Sequence, residues 1–129
     1  MSAIRSFEDL DCWKAGRDVR QFVHDTVLPV LPKEERFRLG DQILRAARSI
    51  TANIAEGYGR YHYLDNSKFC SNARGSTYEV LDHLITGYDE GMISKEMLAD
   101  GRAKVETTVR LINGYMSYLK KAGGDAGRA

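Results

Sequence analysis

Residues 41–60, DQILRAARSITANIAEGYGR, constrain the fold more than any other stretch of the chain. Placed on a helix at about 100° per residue, Leu39, Ile43, Ala46, Ala47, Ile50 and Ile54 form one apolar stripe. A second stripe runs beside it: Arg38, Gln42, Arg45, Ser49, Asn53, Glu56 and Arg60. Small residues such as Ala46, Ala47 and Ala55 let neighbours approach closely. A surface helix needs only the first stripe. The plain reading of the second is a solvated face. The sharper reading is an ordered polar seam between helices or subunits, made of Gln42, Ser49, Asn53 and Glu56, with Glu79 contributed from further along the chain. Asn53 lies where the two stripes meet. It is expected to be buried and hydrogen-bonded, with Arg45, Ser49, Glu56 or Glu79 near it.

The rest of the chain repeats the helical pattern between strong breakers. Ser6 is a candidate N-cap, and Glu8 and Asp9 suit the first turn of a helix that carries Leu10, Trp13, Val19, Phe22, Val23, Val27 and Leu28 inward. Trp13 reads as a core anchor. Pro29 and Pro32 mark the first loop, and the second helix is expected just after Pro32, with Glu34 and Glu35 at its positive end. Gly57 and Gly59 close it. A third helix is expected from Asp65 or Asn66 to Glu90, burying Phe69, Ala73, Thr77, Leu81, Leu84, Ile85 and Tyr88. Gly75 and Ser76 fall inside it. Glycine there costs roughly 1 kcal/mol relative to alanine, so a closely packed neighbour is expected against it. Gly91 ends this helix. Ser94 starts a fourth, with Met97, Leu98, Val105, Val109, Ile112, Met116 and Leu119 on its apolar track. Four long helices with short connections predict an all-α, up-down-up-down antiparallel four-helix bundle. It forms one domain, with ordered helices over 6–121 and a flexible glycine-rich tail over 122–129.

Composition narrows the function classes. The 129 residues are 43% hydrophobic and 29% charged, with a net charge of +1. No apolar run is long enough for a membrane span, and the N-terminal residues do not read as a secretion signal. Cys12 and Cys70 have no metal-type spacing and predict no disulfide framework, which suits the cytoplasm. No cofactor or metal is expected. The neutral total hides an uneven distribution. Residues 33–74 carry eight Lys/Arg against five Asp/Glu, a balance of +3, whereas each flank stands at −1. Arg38, Arg45, Arg48, Arg60, Lys68 and Arg74 are the candidate phosphate contacts. The GYGRYHY turn adds Tyr58, Tyr61 and Tyr63 beside Arg60 and His62, a mixture suited to holding phosphate and stacking on bases. The same residues equally suit the cover of a bundle end. Some of these arginines, Arg45 above all, are alternatively members of the polar seam.

An enzyme has little support in the sequence. His24, His62 and His83 are scattered, and no HExxH or CxxC spacing is present. Gly57-Tyr58-Gly59 lacks the strand and further glycines of a phosphate-binding fingerprint. Arg17-Asp18 followed by His24 resembles the Arg-x4-6-His pattern of HEPN-type ribonucleases, a remote alternative.

Three segments, SFEDLDCWKAG, LGDQILRAARSITANIAEGYGR and ARGSTYEVLDHL, together resemble the 23S ribosomal RNA intervening-sequence proteins, a family of bacterial four-helix bundles. The likeness covers roughly residues 6–121. Its most characteristic pieces are Asn53–Gly57 and Gly75–Ser76 with Glu79. The family is related to the accessory variability proteins of diversity-generating retroelements. The resemblance implies ring-like homopentamers and nucleic-acid binding. Its name records the position of some of its genes within ribosomal RNA genes and does not imply action on that RNA. The resulting expectation is a non-enzymatic oligomer binding RNA or DNA without strong sequence preference. The alternative is a scaffold for a protein partner such as a reverse transcriptase.

Overall fold

The chain begins with a small capped turn. In this computed structural model, Ser6 Oγ accepts the Glu8 N–H at 3.2 Å, and the Asp9 carboxylate accepts the Ser6 N–H at 3.2 Å, closing a 3-10 turn over Phe7–Asp9. The structure describes the backbone of residues 4–128 and the side chains of residues 4–123. Ser6 therefore caps this turn and not the first long helix. Helix α1 spans Asp11–Phe22. It runs on into a π-helical turn over Val23–Val27 and a 3-10 turn over Leu28–Val30. The widening precedes Pro29, whose ring has no N–H and clashes with the carbonyl four residues back.

Helix α2 spans Leu39–Tyr58 and starts later than the sequence predicts. Lys33–Glu35 make only a 3-10 turn, and Arg38 leaves the helical region at φ −117°, ψ −104°. Glu34 and Glu35 are thus displaced from the start of α2, and Asp41 occupies its first turn. Helix α3 spans Tyr63–Asp89, beginning ahead of the expected caps, so that Asp65 falls in its first turn and Asn66 is buried. Gly91, at φ +77°, makes the turn out of α3, a conformation open to glycine. Helix α4 spans Lys95–Arg128, and Ser94 Oγ accepts the Met97 N–H at its start. Helical backbone therefore continues through 122–128, where a flexible tail is expected. Gly123 is still packed there, since a Cβ on it would lie 3.1 Å from Tyr63 Cβ.

The four helices pack in a closed square: α1 on α2 and α4, and α3 on α2 and α4. This is the predicted up-down-up-down bundle. The apolar stripe of α2 is buried throughout, with Ala47, Ile50 and Ile54 at 0% exposure. Facing it are Val19 and Val23 from α1 and its extension, Ala73, Val80 and Leu84 from α3, and Val105 and Ile112 from α4. Trp13 is half-buried at the edge of this core, edge-on to Phe7 at 5.4 Å. Tyr88 is 40% exposed and not part of the buried face, whereas its neighbour Gly87 is buried with Ile93 beside it.

Candidate nucleic-acid interface

The six candidate cations do not form one patch. Arg38 precedes α2, and Arg45 and Arg48 lie on its exposed face. Arg60 sits on the α2–α3 turn, and Lys68 and Arg74 lie on α3. At about 1.5 Å per residue, some 33 Å of helix axis separates Arg38 from Arg60. Two of the six are matched by carboxylates one turn away. Arg45 pairs with Asp41 at 3.0 Å, and Arg60 pairs with Glu56 at 2.7 Å while lying over the Phe69 ring at 4.7 Å. Among the described residues, Arg38, Arg48, Lys68 and Arg74 enter no ion pair. Arg74 donates to Asn113 Oδ1 at 2.7 Å, linking α3 to α4 without losing its charge.

The polar seam exists in part, between two helices of one bundle. Asn53 Nδ2 donates to the Ser49 carbonyl at 2.8 Å and to Ser49 Oγ at 2.9 Å. Ser76 Oγ reaches the same hydroxyl from α3 at 2.9 Å. Asn53 is half-buried, short of the full burial expected. Gln42 is exposed, Glu56 is committed to Arg60, and Glu79 contacts His83 at 3.2 Å. The side chain of Arg45 is 78% exposed and stands outside the seam. The Gly75-Ser76 run signalled this region, but the serine carries the contact. Gly75 has open space around it, so no close helix offsets its cost. A second polar group escaped the sequence. Asn66, 6% exposed, donates to the Tyr115 hydroxyl at 3.0 Å and accepts from Cys70 Sγ at 3.6 Å. On the other side of α2, Arg20 donates to Thr51 Oγ1 at 2.7 Å.

Two open grooves flank the α2–α3 turn at one end of the bundle. The larger, about 1160 Å³, runs between the start of α3 and the last described turns of α4, past Tyr61, His62, Tyr63, Arg74, Asn113 and Lys120. The second, about 750 Å³, lies toward the start of α1, lined by Asp9, Asp11, Arg60 and Arg110, and Tyr115 stacks on Tyr118 there at 6.2 Å. The GYGRYHY turn separates them, with Tyr61 93% exposed. Aromatic faces, hydroxyls and cations are thus gathered at the end of the bundle, while Arg45 and Arg48 stand away from it on α2.

The family model of the 23S rRNA-intervening sequence protein matches residues 8–114. The chain belongs to this family. The matched region takes in the Ser49–Asn53–Ser76 contacts and the whole α2–α3 turn, and it stops short of Lys120 on the α4 side of the larger groove. Among curated proteins the chain has no significant match.

The residues with nuclease-like spacing in this family member each contact a different neighbour. The Arg17 guanidinium lies over Trp13 at 5.9 Å, Asp18 binds Lys104 at 3.0 Å, and His24 contacts its neighbour Asp25 at 2.8 Å on an exposed face. Among the described residues, no group of three or more His, Cys, Asp or Glu could hold a metal ion, and no helix is long and apolar enough to cross a membrane. The strongly perturbed groups lie inside the bundle. Burial, with the neighbouring Cys70 adding to it, pushes the Cys12 thiol up to about 12, and burial pushes Cys70 to about 11. Burial likewise raises Tyr115 to about 12, against the opposing effect of its hydrogen bond with Asn66. Thiols held protonated are poor nucleophiles and metal ligands.

Proposed function

We propose that the chain is a non-enzymatic homo-oligomer that binds RNA or DNA backbone with little sequence preference in the cytoplasm. The observation that carries this reading is that four of the six candidate cations, Arg38, Arg48, Lys68 and Arg74, have no carboxylate partner among the described residues. Side chains of this kind neutralise phosphates and release counterions. One subunit with net charge +1 binds weakly. A ring repeating the same surface gains through simultaneous weak contacts, and the homopentamer implied by the family resemblance would supply that repetition.

The test is fluorescence anisotropy of labelled RNA and DNA with the purified protein, in salt rising from about 50 mM, with light scattering to establish the assembly. The expected result is an oligomer that binds both polymers, with affinity falling steeply as salt rises. A stable monomer at micromolar concentration removes the ring. Absence of binding at about 50 mM salt, where the phosphate term is strong, removes the nucleic-acid reading.

A second reading, a scaffold for a protein such as a reverse transcriptase, draws on two apolar side chains open to solvent. Phe37 is 90% exposed and Leu64 is 86% exposed. A partner captured with unchanged affinity in high salt favours this reading over the first. Incubation of the wild type and His24→Ala with RNA in metal-free buffer addresses catalysis. The non-enzymatic reading expects intact RNA in both.

A further inference from the structure

The two grooves at the α2–α3 end differ in charge. The smaller is lined by Asp9 and Asp11 as well as Arg60 and Arg110, so its lining carries both signs of charge. Among the described residues, the larger is lined by Arg74 and Lys120 and by no aspartate or glutamate. The charges on its described lining therefore have one sign, and they favour an anionic occupant. Arg74 is also positioned. Its bond to Asn113 Oδ1, at 2.7 Å, engages one of five N–H donors and leaves the charge and the other donors for a ligand.

The aromatic wall narrows the class of anion. Tyr61 is 93% exposed, so almost none of its ring is used to stabilise the bundle. Its ring and that of His62 stand perpendicular, with centroids 4.9 Å apart and planes at 87°, and at 93% exposure Tyr61 keeps a face open for stacking. A phosphate or acidic peptide would use the cations without requiring that face. A nucleic-acid strand uses both, with phosphates on Arg74 or Lys120 and a base against the tyrosine. In a duplex the base faces are already stacked on one another, so a ring on an open groove can reach them only in an unpaired strand.

We infer that the larger groove takes unpaired nucleotides of single-stranded RNA or DNA, with Tyr61 stacking on a base and Arg74 and Lys120 holding phosphates along the same strand. This rests on the nucleic-acid reading above and adds a choice of strand state to it. Every base has a π-face, so the stack carries little sequence preference, in agreement with backbone recognition.

The experiment compares a labelled single strand of about 16 nucleotides, the upper end of a single binding site, with the duplex formed from it. Wild type, Tyr61→Ala, Tyr61→Phe and Lys120→Gln are titrated at one fixed salt, and Lys120→Gln also across salt. The single strand is expected to bind at least about tenfold more tightly than the duplex. Tyr61→Ala should weaken single-strand binding by about 5- to 150-fold, the range for loss of one base–aromatic stack, and leave duplex binding unchanged. Tyr61→Phe should retain the wild-type affinity. Lys120→Gln should reduce the salt slope for the single strand by about one. Equal binding of both forms, unaltered in Tyr61→Ala, overturns the inference and leaves the backbone reading standing. No binding of either form overturns both. Loss of the oligomer in Tyr61→Ala would place the ring at a subunit contact, and it too overturns the inference.

Discussion

Gly57 of α2 lies directly against Asn66 of α3. A Cβ built on Gly57 would sit 2.7 Å from Asn66 Oδ1, 2.9 Å from the Asn66 carbonyl oxygen and 2.9 Å from Phe69 Cβ. One of these obstacles is backbone, which cannot swing aside. The absent side chain is what lets the two longest-paired helices approach at the turn end. It also sets Asn66 where its amide reaches Tyr115 across the bundle at 3.0 Å.

Gly57→Ala should therefore destabilise the protein by about 1–3 kcal/mol, the usual range for overpacking, despite the better helix propensity of alanine. Gly75→Ala is expected to act in the opposite direction. Nothing lies within 4 Å of a Cβ at that position, and its backbone is helical. The substitution should stabilise the protomer by about 0.5–1 kcal/mol. Urea unfolding of both variants at one protein concentration checks the pair. Similar midpoints for the two would contradict the packing described here.

The Ser49 hydroxyl accepts from both Asn53 and Ser76, so these two side chains share one acceptor across the α2–α3 boundary. Asn53→Leu should lower stability by about 1 kcal/mol by removing the amide that donates to both Ser49 oxygens, leaving Ser76 as the side-chain donor to the hydroxyl. Asn53→Ala and Ser76→Ala should be non-additive, with a coupling of at least about 0.5 kcal/mol in a double-mutant cycle. Arg45→Glu provides the contrast. It removes an exposed pair and sets two acids one turn apart, which should cost no more than about 1 kcal/mol. A strictly additive cycle would show that Ser49 does not join the two helices.

The apolar stripe of α2 was legible because burial along a helix follows a single period, and Leu39 through Ile54 keep that period without interruption. The polar seam was only half legible. The wheel places Gln42, Ser49 and Asn53 in one row, but which of them meets a partner depends on what α3 presents opposite, and only Ser49 meets a hydroxyl. Asn66 reads as a helix cap from its neighbours in sequence. Its burial depends on Gly57 and on Tyr115, which is 49 residues away. Gly57 and Gly75 look alike in the sequence, and only the packing of α3 distinguishes an obligatory close approach from open space. The groove at the turn end was half visible in GYGRYHY. Its other wall, carrying Asn113 and Lys120, comes from α4 and has no local signal linking it to that turn.

The charge pattern separates two groups of arginines that the sequence could not rank. Arg48→Glu and Arg74→Glu change cations with no carboxylate partner among the described residues, and each should weaken nucleic-acid binding and lower the salt slope by at least about one. Arg45 is already matched by Asp41, so neutral Arg45→Gln should change the slope less. Anisotropy titrations of the three variants over a range of salt measure this order. An equal effect of all three would mean that the i, i+4 pair does not withhold Arg45 from phosphate.

The buried thiols give the bundle an alkaline limit. Cys12 and Cys70 are 2% and 0% exposed, and both are free. Their folded-state values, about 12 and about 11, stand above the ordinary 9.0 that they regain on unfolding. Below pH 9 both states hold the protons and the fold keeps its full stability. Above pH 9 the unfolded chain releases protons that the native protein retains, so stability falls as pH rises, by up to about 1.4 kcal/mol per pH unit for each thiol. The loss continues until pH passes the folded values. Tyr115, raised from 10.0 to about 12, adds a further decline above pH 10. Thermal unfolding under reducing conditions should show a midpoint that drops progressively between pH 9 and 11. The Cys12→Ala/Cys70→Ala variant, though less stable at pH 7 from lost packing, should show a shallower drop over the same interval. Parallel curves for wild type and variant would mean that the thiols do not set this limit.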